Sequence, residues 1–336
     1  MATRDLTQNS RRVIRNTERI LNFTEKELVK SYKLALKDIR SELARLYDAF
    51  DFSGEFTKAQ ATKFMRLSGV EASVVEIMKP YLIKNDKLIG QAAATSFDNG
   101  YFTSAWALDQ ASGVSIGFGL IDENAVLAAS GIGGNLGDLE EVLGKATVDR
   151  HQKLLDNAFT NYTKDAQKWI SQDIRQGIIQ GESIPQISKR LRKGSFVKSY
   201  HQAERIARTE TLRAMDIGAE ISYDEARDAG VGVTETWDAT LDDRTRPDHA
   251  SADGTVKDET TGMFSVPWGE VKGPRLSGQA SQDINCRCGS VPSLAGFTPE
   301  VRRIRDEGIQ PYQTFPAWAE RNNVTVNRFG QKYDFS

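Results

Sequence analysis

A single apolar stripe that continues over many helical turns constrains the fold more than any other feature of this chain. From Asp149 to Gly181 the large apolar side chains recur every three or four positions, which places them on one face of an α-helix. Glycine is a typical residue for ending such a helix. Because a long helix gains most of its stability by burying its apolar face, the sequence predicts a core of packed helices.

The same helical spacing recurs in the N-terminal third of the chain. Thr24 is followed three residues later by Glu, as in a capping box, and it opens an amphipathic run that predicts a helix over about 24–50. Shorter helices are predicted from Thr57 to Leu67 and from Ala72 to Lys84, with Pro80 as a punctuating residue. The N-terminal third is therefore predicted to be helical.

Two helices and a strand are predicted after Gly181. Ser183 can cap a helix that stops at Gly194, and Ser199 can cap another that runs to Gly230. The residues from Val233 to Trp237 favour a strand, and a polar turn follows them. The predicted class is α+β and predominantly helical, with a small α+β C-terminal module whose irregular loop region a metal could tie together.

Changes in composition divide the chain into four expected segments. Residues 1–110 are predicted to be a helical N-terminal region that could dock on a partner. Residues 111–148 are rich in Gly and Ala, and apolar residues alternate with small ones between 114 and 120, which indicates a hinge or a hairpin. Residues 149–292 form the next domain, and residues 293–336 form an arm that contains aromatic residues and prolines.

Charge is unevenly distributed, although the net charge is only −2. Residues 1–50 hold eleven Lys and Arg against seven Asp and Glu, and residues 186–213 hold eight against two. Either stretch could face DNA or an acidic partner, or it could be a solvated helix face. The candidate binding residues of the second stretch are Lys189, Arg190, Arg192, Lys193 and Lys198. The composition excludes a uniformly basic nucleic-acid-binding protein.

Membrane spans and secretion signals would appear as uninterrupted apolar runs. The N-terminus is polar and charged, and the most apolar region, about 88–132, is interrupted by aspartates and glycines. We therefore expect synthesis in the cytoplasm, without a membrane anchor.

The two cysteines suggest a metal site. Cys286 and Cys288 are separated by one residue, which closes too small a ring for an ordinary disulfide. If this stretch is extended, both thiolates point to one face and could converge on a structural zinc, with His249 supplying a nitrogen. The alternative is a pair of free thiols beside a hydrogen-bonded turn. A fourth ligand could come from Asp242, Asp248, Asp253 or water.

Several short motifs follow one another in this part of the chain. They are Ile206-Ala207-Arg208-Thr209-Glu210, then Trp237 to His249 with Asp242-Asp243-Arg244, then Asp253-Gly254, and finally Asn285-Cys286-Arg287-Cys288. In this order and spacing they resemble the phage Mu F-like minor head protein family, also called phage head morphogenesis proteins, over about 150–292. The signature residues are Arg208, Thr209, Glu210, Trp237, Asp242, Arg244, His249, Gly254, Asn285, Cys286, Arg287 and Cys288.

The resemblance implies a structural protein of the virion of a tailed bacteriophage. Such a protein lies in the head near the portal vertex, binds the portal protein and the major capsid or scaffold protein, and acts in head assembly. DNA packaging or ejection, with contact to packaged double-stranded DNA, is a further implied role. Some relatives carry a Cys-x-x-Cys near positions 246 to 249, whereas here Arg246 replaces the first cysteine and His249 stands at the second.

The alternative function is enzymatic. Asp242, Arg244 and His249 could form the centre of a metal-dependent hydrolase or nuclease, or of a toxin-like effector. No nucleophile or oxyanion donor can be named beside them from the sequence. The assembly function is therefore favoured, and the chain is not predicted to be an enzyme.

Overall fold

The computed structural model describes residues 2–49, 58–113, 116–118, 126, 140, 144–294, 301–304, 308–311, 313 and 317. The described part is predominantly helical, with short antiparallel strand pairs in its C-terminal part, and this confirms the predicted α+β class. The strand expected between 114 and 120 falls mostly outside the described residues.

The helices and strands follow one another in two blocks. The helices before the first strand are α1 (Ala2–Ala49), α2 (Lys58–Ser68), α3 (Val70–Ser112), α4 (Lys145–Ile179), α5 (Ile184–Lys193) and α6 (Ser195–Asp228). The remaining elements are β1 (Val233–Asp238), α7 (Pro247–Ser251), β2 (Phe264–Val266), β3 (Gly269–Val271), α8 (Ala280–Asp283), β4 (Gly289–Leu294), β5 (Val301–Ile304) and β6 (Gly308–Pro311). Strand β1 pairs with β4, β2 with β3, and β5 with β6.

Four helix bounds differ by four residues or more from the sequence-based prediction, and one of them is the start of α4, at Lys145 instead of Asp149. Helix α1 begins at Ala2, so Thr24 lies buried inside the helix and does not begin it. Helix α3 runs through Pro80 to Ser112, far beyond the predicted end. After the proline, buried residues occupy several sides of α3, so no single stripe marks this part of the helix. Helix α6 begins at Ser195 instead of Ser199.

The early start of α6 has a tertiary cause. The backbone N–H of Ser195 donates a hydrogen bond to the carboxylate of Asp173 on α4, at 2.8 Å. A helix leaves its first N–H groups without partners inside the helix, and a carboxylate from elsewhere in the fold can satisfy one of them. This cap lies 22 residues away along the chain, so local sequence signals could not predict it.

The described helices and strands form two compact units. The first unit comprises residues 1–20, 93–152 and 209–336, and the second comprises residues 21–92 and 153–208. The units interleave along the sequence, so α1, α3, α4 and α6 each contribute residues to both. The division into 1–110, 111–148, 149–292 and 293–336 stays a prediction.

The second unit is a bundle of helical segments around an apolar core. The stripe of α4 supplies Tyr162, Ile170 and Ile174 to this core, as the sequence predicted. Inside the core the Tyr162 hydroxyl forms a hydrogen bond of 2.7 Å with the Tyr32 hydroxyl and accepts one of 2.9 Å from the Asn85 amide. The two tyrosines therefore bury their rings without leaving their hydroxyl groups unpaired.

In the first unit, two glycines allow α3 and α6 to approach closely. A Cβ atom added to Gly100 would lie 2.1 Å from the carbonyl oxygen of Met215. A Cβ atom added to Gly218 would lie 2.3 Å from the carbonyl oxygen of Phe97. Backbone meets backbone at both positions, so neither clash could be relieved by moving a flexible side chain.

We expect Gly218→Ala to destabilise the protein by about 1–3 kcal/mol or more, because the added methyl group must push two helices apart. Denaturant unfolding measures this loss. Gly289→Ala is the matched control, since a Cβ atom there meets open space. It should be neutral or slightly stabilising. Equal stability of Gly218→Ala and the wild type would contradict the close approach of α3 and α6.

Candidate functional site

A buried network of charges in the first unit fixes strand β1 against helix α6. The network balances three carboxylates with three cations: Glu220, Asp224, Glu235, Arg227, Lys257 and Lys272. The Lys257 ammonium bridges Glu220 on α6 and Glu235 on β1. The side chains of Lys257, Glu220 and Glu235 are almost fully buried. Burial alone would raise the pKa of Glu235. The positive charges of Lys257 and Arg227 outweigh this effect and lower the pKa of Glu235 to about 2.

Strand β1 is hydrogen-bonded along both of its edges. One edge pairs with β4, from Val233 opposite Leu294 to Asp238 opposite Gly289. On the other edge, the N–H of Trp237 donates to Thr255 at 2.8 Å, and the N–H of Gly254 donates to the Trp237 carbonyl at 2.9 Å. Gly254 has φ +81°, a conformation that favours glycine. The two ladders hold the Trp237 ring in the interior of the module.

The Trp237 ring lies at the centre of an aromatic cluster. It packs edge-to-face against Phe264, with ring centroids 5.4 Å apart, and against Trp268 at 5.6 Å. The imidazole of His249 on α7 stacks on Trp268 with centroids 4.6 Å apart and planes inclined by 24°. The aromatic rings therefore fix the position of the His249 imidazole.

The structure brings His249, Cys286 and Cys288 together, as the extended stretch before β4 predicted. The Nδ1 atom of His249 lies 3.3 Å from Sγ of Cys288 and 3.6 Å from Sγ of Cys286. All three potential ligand atoms lie within 4.8 Å of one another, and all three residues are buried. Both cysteines are free thiols.

These distances fit the ligand sphere of zinc. With Zn–S bonds of about 2.3 Å and Zn–N bonds of about 2.0 Å at tetrahedral angles, nitrogen and sulfur ligands lie about 3.5 Å apart. The observed separations of 3.3 and 3.6 Å bracket this value. The donor set of one imidazole and two thiols also suits zinc. The residues present therefore fit this metal.

The second nitrogen of His249 is held in the way expected of a metal ligand. Its Nε2 lies 3.0 Å from the side-chain oxygen of Gln282, whose amide nitrogen faces Asp248 at 3.5 Å. The guanidinium of Arg246 also lies 3.3 Å from Nε2. In the tautomer that carries its proton on Nε2, the ring donates to the Gln282 oxygen and Nδ1 presents its lone pair to the sulfurs. Arg246 adds a hydrogen bond of 2.9 Å to the backbone carbonyl of Gln282.

Arg275 also shapes this site, although no sequence pattern indicated this role. Its buried guanidinium donates to the carbonyl oxygens of Cys286 at 3.0 Å and Cys288 at 2.6 Å, and it pairs with Asp216 on α6. Arg275 has φ +63°, an uncommon conformation for a residue other than glycine. The three charge-assisted contacts offset this backbone strain.

The two thiols differ in acidity. A hydrogen bond from Cys288, followed by His249 and the positive charge of Arg275, lowers the pKa of Cys286 well below its usual range. The same hydrogen bond, together with burial, raises the pKa of Cys288. The lowered pKa of Cys286 favours its thiolate, which is the form of cysteine that binds metals.

Asp242 and Arg244, named in the enzyme alternative, take part in holding the loop after β1. The carboxylate of Asp242 forms a bidentate ion pair with Arg287 at 2.5 and 2.6 Å. It also accepts a hydrogen bond of 3.0 Å from the N–H of Arg244. The Arg244 guanidinium lies 3.6 Å from the same carboxylate. Burial raises the pKa of Asp242, but the two arginines outweigh it and lower this pKa.

The signature residues of α6 divide between the two units. In the first unit, the hydroxyl of Thr209 accepts a hydrogen bond of 3.3 Å from the N–H of Asn285, which joins two motifs of the signature. Asn285 has φ +56°, a conformation that asparagine tolerates. The buried carboxylate of Glu210 pairs with Arg213 at 2.5 Å. In the second unit, Arg208 pairs with Glu25 at 2.9 Å.

The candidate DNA-binding cations lie around α5 in the second unit. Arg190 is paired with Glu182, and Lys198 lies 6.0 Å over the ring of Trp169. Basic residues in the last turn of α5 also interact favourably with the helix dipole, which gives them a structural role. DNA binding by this stretch stays a prediction. The other three candidates are exposed: Lys189, Arg192 and Lys193.

Comparison with known proteins agrees with the signature. Residues 168–291 match the family of Phage Mu protein F like proteins. This match confirms the resemblance of the segment to phage head morphogenesis proteins. No helix in the described ranges has the length and apolar character that a membrane crossing requires.

Two curated relatives extend the similarity beyond this segment. The chain is 28% identical to minor head protein GP7 of Bacillus phage SPP1 over 302 residues, which is 89% of this chain and 91% of that protein. It is 26% identical to the NAD(+)-arginine ADP-ribosyltransferase EFV of Enterococcus faecalis over 296 residues, which is 88% of this chain but 56% of that protein. No solved structure matches the chain at a significant level.

We expect Glu235→Gln to destabilise the protein by about 3–5 kcal/mol at neutral pH, because the substitution leaves the buried Lys257 and the partly buried Arg227 with one carboxylate fewer. Denaturant unfolding at several pH values measures the loss. The folded-state pKa of Glu235 is lowered, so its contribution is present above the ordinary carboxyl pKa and is lost as the pH falls toward 2. The difference between variant and wild type should therefore shrink in acid.

The exposed Glu259 provides the control for this substitution. Glu259→Gln removes a carboxylate from the same unit and should change stability by less than about 0.5 kcal/mol. Equal losses in the two variants would show that the buried network does not depend on Glu235.

Proposed function

We propose that this chain is a minor head protein of a tailed bacteriophage and that it acts in head assembly. The observation that carries the proposal is the similarity to minor head protein GP7, which extends over 89% of this chain and 91% of that protein. A match of this extent covers the N-terminal helices as well as the segment that matches Phage Mu protein F like proteins. It therefore supports a similar architecture throughout, and a structural role in the head.

The finer part of the proposal concerns location and partners. The protein binds the portal protein and the interior of the procapsid, next to major capsid or scaffold protein, and resides in the virion near the portal vertex. Contact with packaged DNA during packaging or ejection involves the exposed cations of α5. These roles come from the family resemblance, and the exposed charge of α5 supports the last of them.

An assembly role agrees better with the site than an enzymatic role. Asp242 is engaged by Arg287, and His249 has one nitrogen turned to the cysteines and the other to Gln282. These contacts support a structural role for both side chains. The transferase activity is named for an Enterococcus protein of which this chain spans only 56%.

We expect purified heads to contain this protein in fewer copies than the major capsid protein. Quantitative mass spectrometry of wild-type heads measures the ratio, and heads assembled without portal protein provide the comparison. The portal-bound location predicts that the protein is absent from the portal-free heads. Heads that lack the protein although portal is present would refute the proposed function, and equal amounts in both preparations would refute portal binding alone.

We propose in addition that His249, Cys286 and Cys288 hold a structural zinc. Bound there, zinc would cross-link α7 to the stretch before β4, so its purpose would be to hold the module together. Asp242 and Asp253 are engaged by Arg287 and by the N–H of Ala239. Asp248 is exposed, faces the Gln282 amide and does not belong to the cluster of ligand atoms, so we assign the fourth position to water.

Protein purified without an affinity tag should contain about one zinc per chain by elemental analysis. Cys286→Ser and His249→Ala should lose the metal and lower the temperature of unfolding. His201→Ala is the control, because His201 is an exposed histidine paired with Glu204 on its own helix. Wild-type protein that stays free of zinc after dialysis against micromolar zinc would refute the site.

A further inference from the structure

One exposed face of the first unit combines aromatic rings with arginines. Helix α3 carries Phe102 and Trp106 one turn apart, and their side chains are 49% and 50% exposed. Helix α1 carries Arg12, Arg15 and Arg19, which are exposed and lie on one side of that helix at spacings of three and four residues. We call these five residues the aromatic–arginine face.

A polar clasp holds the two helices of this face in register. The side-chain amide of Asn99 on α3 donates to the carbonyl of Val13 at 2.9 Å and to the hydroxyl of Thr17 at 3.1 Å. Its oxygen accepts a hydrogen bond of 3.1 Å from the amide of Asn16. The guanidinium of Arg12 lies 5.9 Å above the ring of Trp106. The face is therefore pre-organised, which reduces the entropy lost on binding.

The charge of the face is not neutralised within the described residues. No ion pair joins Arg12, Arg15 or Arg19 to a carboxylate of that part of the chain. Glu18 lies one helical turn from Arg15, and Asp98 lies one turn from Phe102, but among the described residues neither carboxylate forms an ion pair with the three arginines. The positive charge beside the rings is thus available to a partner.

The composition of this face is that of a protein-binding surface. A single exposed apolar residue needs no explanation, but two large rings one turn apart leave a continuous apolar area in water. Trp and Arg are also the residues that carry most of the binding energy in protein interfaces. Duplex DNA would offer phosphates to the arginines but no apolar pocket to the rings, so the rings favour a protein partner.

We propose that the aromatic–arginine face docks on an acidic protein surface that contains an apolar pocket for Phe102 and Trp106. This proposal rests on the function proposed above, because the partner is then a component of the phage head. The arginines orient the partner and increase the rate of association, and the rings provide most of the binding energy. The face contains none of the signature residues, so it is a site separate from the zinc cluster.

The test uses a phage that lacks the gene and is complemented with full-length variants. Phe102→Ala combined with Trp106→Ala should reduce the amount of this protein in purified heads at least tenfold, and Arg12→Gln combined with Arg19→Gln should reduce it severalfold. Phe23→Ala combined with Ile83→Ala is the control, because these residues are also exposed and apolar but belong to the second unit. Circular dichroism and thermal unfolding verify that each variant folds.

The outcomes separate this proposal from the proposed function. Absence of the wild-type protein from heads refutes the proposed function. Presence of the wild-type protein and of the folded ring variant in equal amounts overturns the docking face alone. Binding to a 30-base-pair duplex is measured in parallel. Duplex binding that is lost in the arginine variant, with normal head content of the ring variant, overturns the proposal in favour of DNA.

Discussion

The buried carboxylate of Glu235, held between Lys257 and Arg227, is the interaction on which the C-terminal module depends. Unpaired charges at these positions would be far too costly to bury, so the network forms only when β1 lies against α6. Once β1 is fixed, the alternation of a strand turns Trp237 into the interior of the module. The tryptophan then supports the rings that position His249.

A buried charged residue also stabilises the loop that carries the cysteines. Backbone carbonyl groups in a loop lack the hydrogen bonds that a β-sheet would provide. The guanidinium of Arg275 donates hydrogen bonds to the carbonyl oxygens of Cys286 and Cys288. Since Arg275 is also paired with Asp216, it links this loop to α6. Helix α6 therefore supports both sides of the candidate metal cluster, through Glu220 at β1 and through Asp216 at the cysteines.

The sequence was sufficient to predict those features of the fold that arise from interactions between neighbouring residues. The stripe of α4 and the Ser183 and Gly194 boundaries of α5 could be predicted because capping and periodicity involve neighbouring residues. The convergence of the cysteines followed from the geometry of extended chain. The start of α6 could not be predicted, because its cap is Asp173 on another helix. Arg275 carried no signal either, since its partners are brought together only by the fold.

Burial distinguishes signature residues that stabilise the module from exposed residues that could contact a partner. Trp237, His249 and both cysteines are buried, and Asp242 is nearly so, hence these residues contact the interior of their own module. Buried side chains hold a fold together but cannot recognise a partner in the folded state. These residues therefore stabilise the module, and contacts with a partner would require exposed side chains, which in the signature include Arg244 and Asn285.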